Sequence, residues 1–180
     1  MRFVPTSLPG VLVVEQEPVS DERGSFARAY CRREFAAQGI DFVPVQVSIS
    51  QNTRRNTLRG LHLQAPPHEE AKLVRCTRGA VFDVAVDVRA GSHTFGCWTA
   101  VEISQENGKA LYVPPGFAHG FQTLTEDSEL TYLISAVHEP DAQRGVRWDD
   151  PEIGVEWPEA AFRVMSDRDR ALPPLKRLRG

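Results

Sequence analysis

Several residues able to move or hold charge fall on stretches that otherwise read as apolar strands. His62 sits in Leu58-Arg59-Gly60-Leu61-His62-Leu63-Gln64, among leucines 58, 61 and 63. Imidazole is the side chain whose unperturbed pKa lets it take and give a proton near neutrality. Arg59, three residues earlier, offers a guanidinium suited to a two-point grip on phosphate or carboxylate. Lys72 opens the run Lys72-Leu73-Val74-Arg75-Cys76, where an ammonium facing a core is costly. Tyr132 lies in the alternating run Leu130-Thr131-Tyr132-Leu133, and Asp167 and Asp169 stand near the C-terminus. Each also has an ordinary reading. His62 is then a core histidine with its nitrogens satisfied by backbone, and Lys72 an exposed strand end. Tyr132 becomes a tethered core aromatic, and the two aspartates surface charges at a helix start. Taken singly, none of them decides.

The elements that must position these residues read mostly as strands. Gly10–Val14 is a short apolar strand, and Asp21–Ser25 is a polar turn before Phe26. Arg32–Gln38 has good helix formers and stops at Gly39. From Phe42 to Ser50 the chain alternates, with Val43, Val45, Val47 and Ile49 on one face and Gln46, Ser48 and Ser50 on the other. That predicts a half-buried strand. Gln51–Thr57 reads as a polar hairpin loop. Strands then follow at Lys72–Thr77, Ala80–Val88, Cys97–Ile103, Lys109–Val113, His119–Leu124 and Glu129–Ser135, and Ser166–Leu172 reads as a short helix. Short strands at roughly 8–12-residue spacing with turn residues between them indicate a sandwich or barrel. The expected fold is all-β: a cupin-like jelly-roll sandwich of two antiparallel sheets with a few short helices. Residues 1–180 form a single domain with a short-helix segment from about residue 140.

A length of 180 residues suits one well-buried domain. A formal charge of −3 gives no electrostatic case for nucleic acid or a membrane surface. No apolar run approaches the ~18 residues of a membrane span, and the first residues lack the apolar core of a signal peptide. The three cysteines, Cys31, Cys76 and Cys97, have no paired spacing. A reduced, cytoplasmic compartment is the simplest inference.

His119 lies in Pro114-Pro115-Gly116-Phe117-Ala118-His119-Gly120-Phe121. Pro-x-Gly-x-x-His resembles the second motif of the cupin jelly rolls, where that histidine often binds a metal. A site can be drawn from His62, His119 and Glu69 or Glu70, yet it is short of imidazoles, and the Lys72 ammonium competes with a cation for the same space. No metal is expected.

Together the blocks resemble the dTDP-4-dehydrorhamnose 3,5-epimerase family, the dTDP-4-keto-6-deoxyglucose 3,5- or 3-epimerases, over nearly the whole chain. They are Arg23-Gly24-Ser25-Phe26, Leu58–Gln64, Ala71–Arg75, Val81–Asp87, Gly91–Gly96, Val113–Phe121, Arg144–Pro151 and Ser166–Asp169. The resemblance implies a cofactor-free jelly roll acting as a homodimer with exchanged strands on a dTDP-linked 4-keto-6-deoxy sugar. It implies that His62 is the general base, oriented by Asp169, that Lys72 offsets enolate charge at the C4 oxygen, and that Tyr132 delivers a proton from the opposite face. It further implies phosphate contacts from Arg59 and Arg168, and from Arg23 reaching in from the partner subunit. Phe26 would stack on the base with Gln46 nearby, and His119 would line the sugar pocket.

Three positions depart from the family pattern. Arg28 stands where glutamate is common, Ser48 replaces the usual asparagine, and the following loop, with Arg54-Arg55, is longer by one. His138 stands where the family has a second tyrosine, six residues after Tyr132. In the family that ring flanks the sugar, so His138 opens two outcomes: epimerisation at C3 and C5, or at C3 alone. Other readings are a nucleotide-sugar 3,4-ketoisomerase and a non-catalytic cupin that binds a sugar or metal.

Overall fold

Period-two alternation of apolar and polar residues makes most of this chain strand. The computed structural model describes residues 1–178. In order, the elements are β1 (Arg2–Pro5), β2 (Leu12–Glu15), β3 (Val19–Asp21), β4 (Gly24–Phe26), α1 (Arg32–Ala37), β5 (Gln46–Asn52) and β6 (Leu58–Gln64). They continue with β7 (Lys72–Arg78), β8 (Ala80–Asp87), β9 (Trp98–Ser104), β10 (Lys109–Val113), β11 (Phe117–Thr123), β12 (Ser128–Ile134), β13 (Gln143–Gly145) and α2 (Asp167–Arg170). A six-stranded sheet runs β1-β2-β10-β7-β12-β5 and a five-stranded sheet β13-β6-β11-β8-β9, while β3 and β4 form a separate hairpin. The pairings within the two large sheets are antiparallel, the expected jelly-roll sandwich. No described helix is long and apolar enough to cross a membrane.

Apolar side chains close one part of the space between the sheets. Val74, Cys76 and Leu130 of the six-stranded sheet meet Val81, Ile103 and Phe121 of the other, beside a cluster holding Val13, Leu111, Ala85 and Phe117. The outer faces are covered too. Phe35 of α1 and Phe42 pack on Leu73 and Tyr112, and the segment after β13 lays Val146, Ile153 and Leu175 on Leu61, Val84 and Val86. What stays open between the sheets is a polar cleft.

Three details differ from the sequence reading. β1, the β3–β4 hairpin and β13 are additional strands, each of three or four residues and too short to show a period. β5 begins at Gln46 and runs to Asn52, which shortens the expected loop. Its faces are also the reverse of a core strand: Val45, Val47 and Ile49 are 58–64% exposed, whereas Gln46, Ser48 and Ser50 turn toward the cleft. β5 is an edge strand, and among the described residues no further strand covers its apolar side.

A regular strand puts residues three apart on opposite faces, yet Arg59 and His62 line the same cavity. The pairing of β6 with β11 shifts register between His119 and Phe121. There Gly60 adopts φ 118°, and a Cβ on it would lie 2.6 Å from the Gly120 Cα and 2.8 Å from the His119 carbonyl oxygen. Only glycine satisfies both the conformation and the contact. Gly60→Ala should therefore cost about 2–4 kcal/mol of stability by urea denaturation, from a strained φ and an overpacked backbone.

Candidate active site

The cleft holds a cavity of about 420 Å³. On its five-stranded side, β6 supplies Arg59 and His62 and β11 supplies His119. On its six-stranded side, β5 supplies Gln46 and Ser48, β7 supplies Lys72 and β12 supplies Tyr132. His138, Arg168 and Asp169 close the rim. Ten of the twelve residues singled out from the sequence therefore share one cavity. Arg23 and Phe26 do not: they sit on the exposed β3–β4 hairpin, where Arg23 grips Asp21 and Phe26 is 81% exposed.

His62 and Asp169 meet although 107 residues separate them. The His62 Nε2 lies 2.7 Å from Asp169 Oδ1, and the Gly60 N–H donates to Asp169 Oδ2 at 3.3 Å. α2 brings the aspartate there. Ser166 caps the helix by accepting the Asp169 N–H at 3.1 Å, which fixes the first turn. Burial pushes the Asp169 carboxyl up, but the His62 hydrogen bond and charge, the Gly60 N–H and the Arg59 charge together hold it below the usual carboxylate range. It is an ionised acceptor, so Nε2 carries a proton and Nδ1 is the nitrogen of His62 left to take another.

Lys72 is 8% exposed; its Nζ lies 2.9 Å from Glu70 Oε1 and 3.4 Å from the His62 carbonyl oxygen. Glu70 entered the sequence reading only as a metal ligand; here it is the ammonium's counter-charge. Tyr132 stands edge-on to His119, ring centroids 5.8 Å apart. Burial pushes its phenol well above 10, helped by the Asp83 charge and opposed by that of Arg59. His119 Nε2 is engaged by Asp83 Oδ1 at 2.8 Å. Among the described residues, no group of three or more histidines, cysteines, aspartates and glutamates is placed to hold a metal ion.

The phosphate-suited groups are likewise held. Arg59 Nε donates to Asn52 Oδ1 at 2.8 Å, and Arg168 donates to Gln143 Oε1. Gln46 Oε1 accepts the His138 N–H at 3.2 Å and Gln64 Oε1 the Glu139 N–H at 2.6 Å, so two cavity glutamines pin the segment carrying His138. The cavity shares His62, Gln143 and Arg168 with an adjoining groove of about 760 Å³ whose wall includes Arg89, Arg144 and Arg177. Sequence reasoning missed Asn52, Asp83 and Gln143. Asn52 extends the Gln46, Ser48, Ser50 alternation, and Asp83 is an acid at an inward position of a buried strand; both signals were legible.

Residues 5–177 match the family model for dTDP-4-dehydrorhamnose 3,5-epimerase. The chain belongs to the dTDP-4-dehydrorhamnose 3,5-epimerase family. Within that family it is 44% identical to the Sinorhizobium fredii dTDP-4-dehydrorhamnose 3,5-epimerase over 97% of this chain and 90% of that protein. The Elizabethkingia anophelis dTDP-4-dehydrorhamnose 3,5-epimerase superposes with a TM-score of 0.95 at 36% identity, covering 98% and 97% of the two chains. A 3′-monoepimerase from Streptomyces bikiniensis, solved with dTDP-quinovose, superposes at 0.90 with 37% identity, covering 96% and 87%.

The Tyr132 environment predicts a direct measurement. A raised phenol pKa means that the folded state holds its proton past the value of about 10 in the unfolded chain, so this group's contribution to stability falls as pH rises above that. In an ultraviolet titration, the difference between wild type and Tyr132→Phe should show no phenolate through about pH 10.

Proposed function

We propose that this chain epimerises a dTDP-linked 4-keto-6-deoxyhexose, at C3 and C5 or at C3 alone, in deoxysugar biosynthesis. One observation carries the reading: two side chains suited to proton transfer stand on opposite sheets of one cavity, His62 on β6 and Tyr132 on β12. Inverting a carbon requires a proton to leave one face and another to arrive on the other. A sugar ring lying between the sheets meets that requirement.

The chemistry follows from the groups present. Hydrogen on a carbon next to a ketone is weakly acidic, and its removal leaves an enolate whose charge gathers on the ketone oxygen. The His62 Nδ1 takes that proton, and the imidazolium formed is paired with Asp169. Lys72 offsets the enolate charge at the C4 oxygen. Tyr132, kept neutral by its surroundings, returns a proton from the far face. Arg59 and Arg168 hold the diphosphate, Gln46 and Ser48 the nucleoside side, and His119 and His138 flank the sugar.

Arg23 and Phe26 enter through a partner. The exposed Val45, Val47 and Ile49 face and the exposed hairpin with Val19 and Phe26 support a homodimer with exchanged strands. In that assembly the hairpin delivers Arg23 and Phe26 to the other subunit's cavity. A cytoplasmic location belongs to the same reading.

Incubation with the 4-keto sugar in deuterated water tests the activity. Deuterium should enter at C3, and its presence or absence at C5 assigns the number of carbons inverted. His62→Asn should lower exchange by about 100-fold or more while leaving dTDP binding intact. A ketone moved to C3 would identify a 3,4-ketoisomerase, and no deuterium at either carbon would sink the epimerase reading. For the assembly, sedimentation should show a dimer, and the double change Val47→Glu, Ile49→Glu should give an inactive monomer.

A further inference from the structure

Asp83 is a buried carboxylate to which the reading above gives no task. It lies on β8, faces the space between the sheets with Val81 and Ala85, and is 0% exposed. Phe121 and Val101 are its neighbours on β11 and β9. Its Oδ1 meets His119 Nε2 at 2.8 Å, and its Oδ2 has no hydrogen-bond partner among the described residues. Burying a carboxylate with a bare oxygen destabilises a fold, so its presence calls for a physical reason. Its bonded neighbour supplies one, because His119 stands edge-on to Tyr132 at an interplanar angle of 80°.

We propose that Asp83 is a positioning residue for the proton-returning side of the site: it fixes the His119 ring, and His119 fixes Tyr132 facing His62 across the cavity. This rests on the epimerase reading. A carboxylate only accepts hydrogen bonds, so Oδ1 takes the Nε2–H of His119 and selects that tautomer. The ring cannot turn without leaving the buried Asp83 oxygen and its own Nε2–H unpaired, which is expensive. His119 is 4% exposed, and its contact reaches across from the five-stranded sheet to β12, where Tyr132 sits. His62 and His119 are direct register partners on β6 and β11. Two imidazoles on adjacent strands thus line the cavity, each held by its own carboxylate. Asp169–His62 serves removal of the proton, and Asp83–His119 serves its return through Tyr132.

The two services separate in deuterated water. Asp83→Asn keeps the shape but offers an amide with both a donor and an acceptor, so it no longer specifies the tautomer or orientation of the ring. Inversion should fall by about 100-fold, the scale of losing a general acid. Deuterium entry without inversion depends on His62 and should fall by less than about tenfold, so the ratio of exchange to inversion rises. Equal losses in both rates, or no loss in either, would overturn the proposal. Absence of exchange in the wild type would instead overturn the epimerase reading on which it rests. If Asp83→Asn does not fold, nitrogen NMR of wild-type His119 decides: a proton on Nε2 supports the proposal and a bare Nε2 overturns it.

Discussion

The backbones of β6 and β11 come closer at Gly60 and Gly120 than any pair of residues with side chains allows. That approach sets the register shift between the strands and turns Arg59 to the same side as His62. It also leaves the Gly60 N–H available to Asp169, whose other oxygen holds the imidazole. An anion anchor, a base and the base's support are thus placed by one backbone contact. Burial alone would favour the neutral form of that carboxyl, and the His62 hydrogen bond and charge, with the Gly60 N–H behind them, hold it ionised.

The polar cleft continues the same economy from the other sheet. Lys72 and Tyr132 occupy inward positions of β7 and β12 next to Val74, Cys76 and Leu130, so the apolar core ends where the chemistry begins. Glu70 keeps the ammonium paired, and Asn52 steadies the Arg59 guanidinium. Each charge in the cavity has a partner that limits its wandering, which is how a site holds groups in place before a ligand arrives.

Much of this was legible in the residues. α1 begins at Arg32 as read, with Gly39 at φ 75° just past its end, because helix formers and a glycine stop act locally. The strands from β7 to β12 fall within a residue or two of the alternating runs. The facing of β5 was not legible: alternation reports that a strand has two unlike faces and says nothing of which one meets the core. The reversed side shows only when β5 proves to be an edge strand whose polar face looks into a cavity. The common face of Arg59 and His62 was hidden for a related reason, since a register shift depends on the partner strand. Asp83 was overlooked because an acid in a buried strand reads as an anomaly until its histidine is in view.

The span between His62 and Asp169 has a consequence for the base. The Ser166–Arg170 turn that carries the aspartate is held by contacts outside the cavity: the bridge of Thr57 to Val164, the Ser166 cap and the Leu175 N–H on Asp150. The base is therefore oriented by a residue whose own position depends on how the segment after β13 packs on the five-stranded sheet. Packing far from the cavity thus reaches the base through one carboxylate.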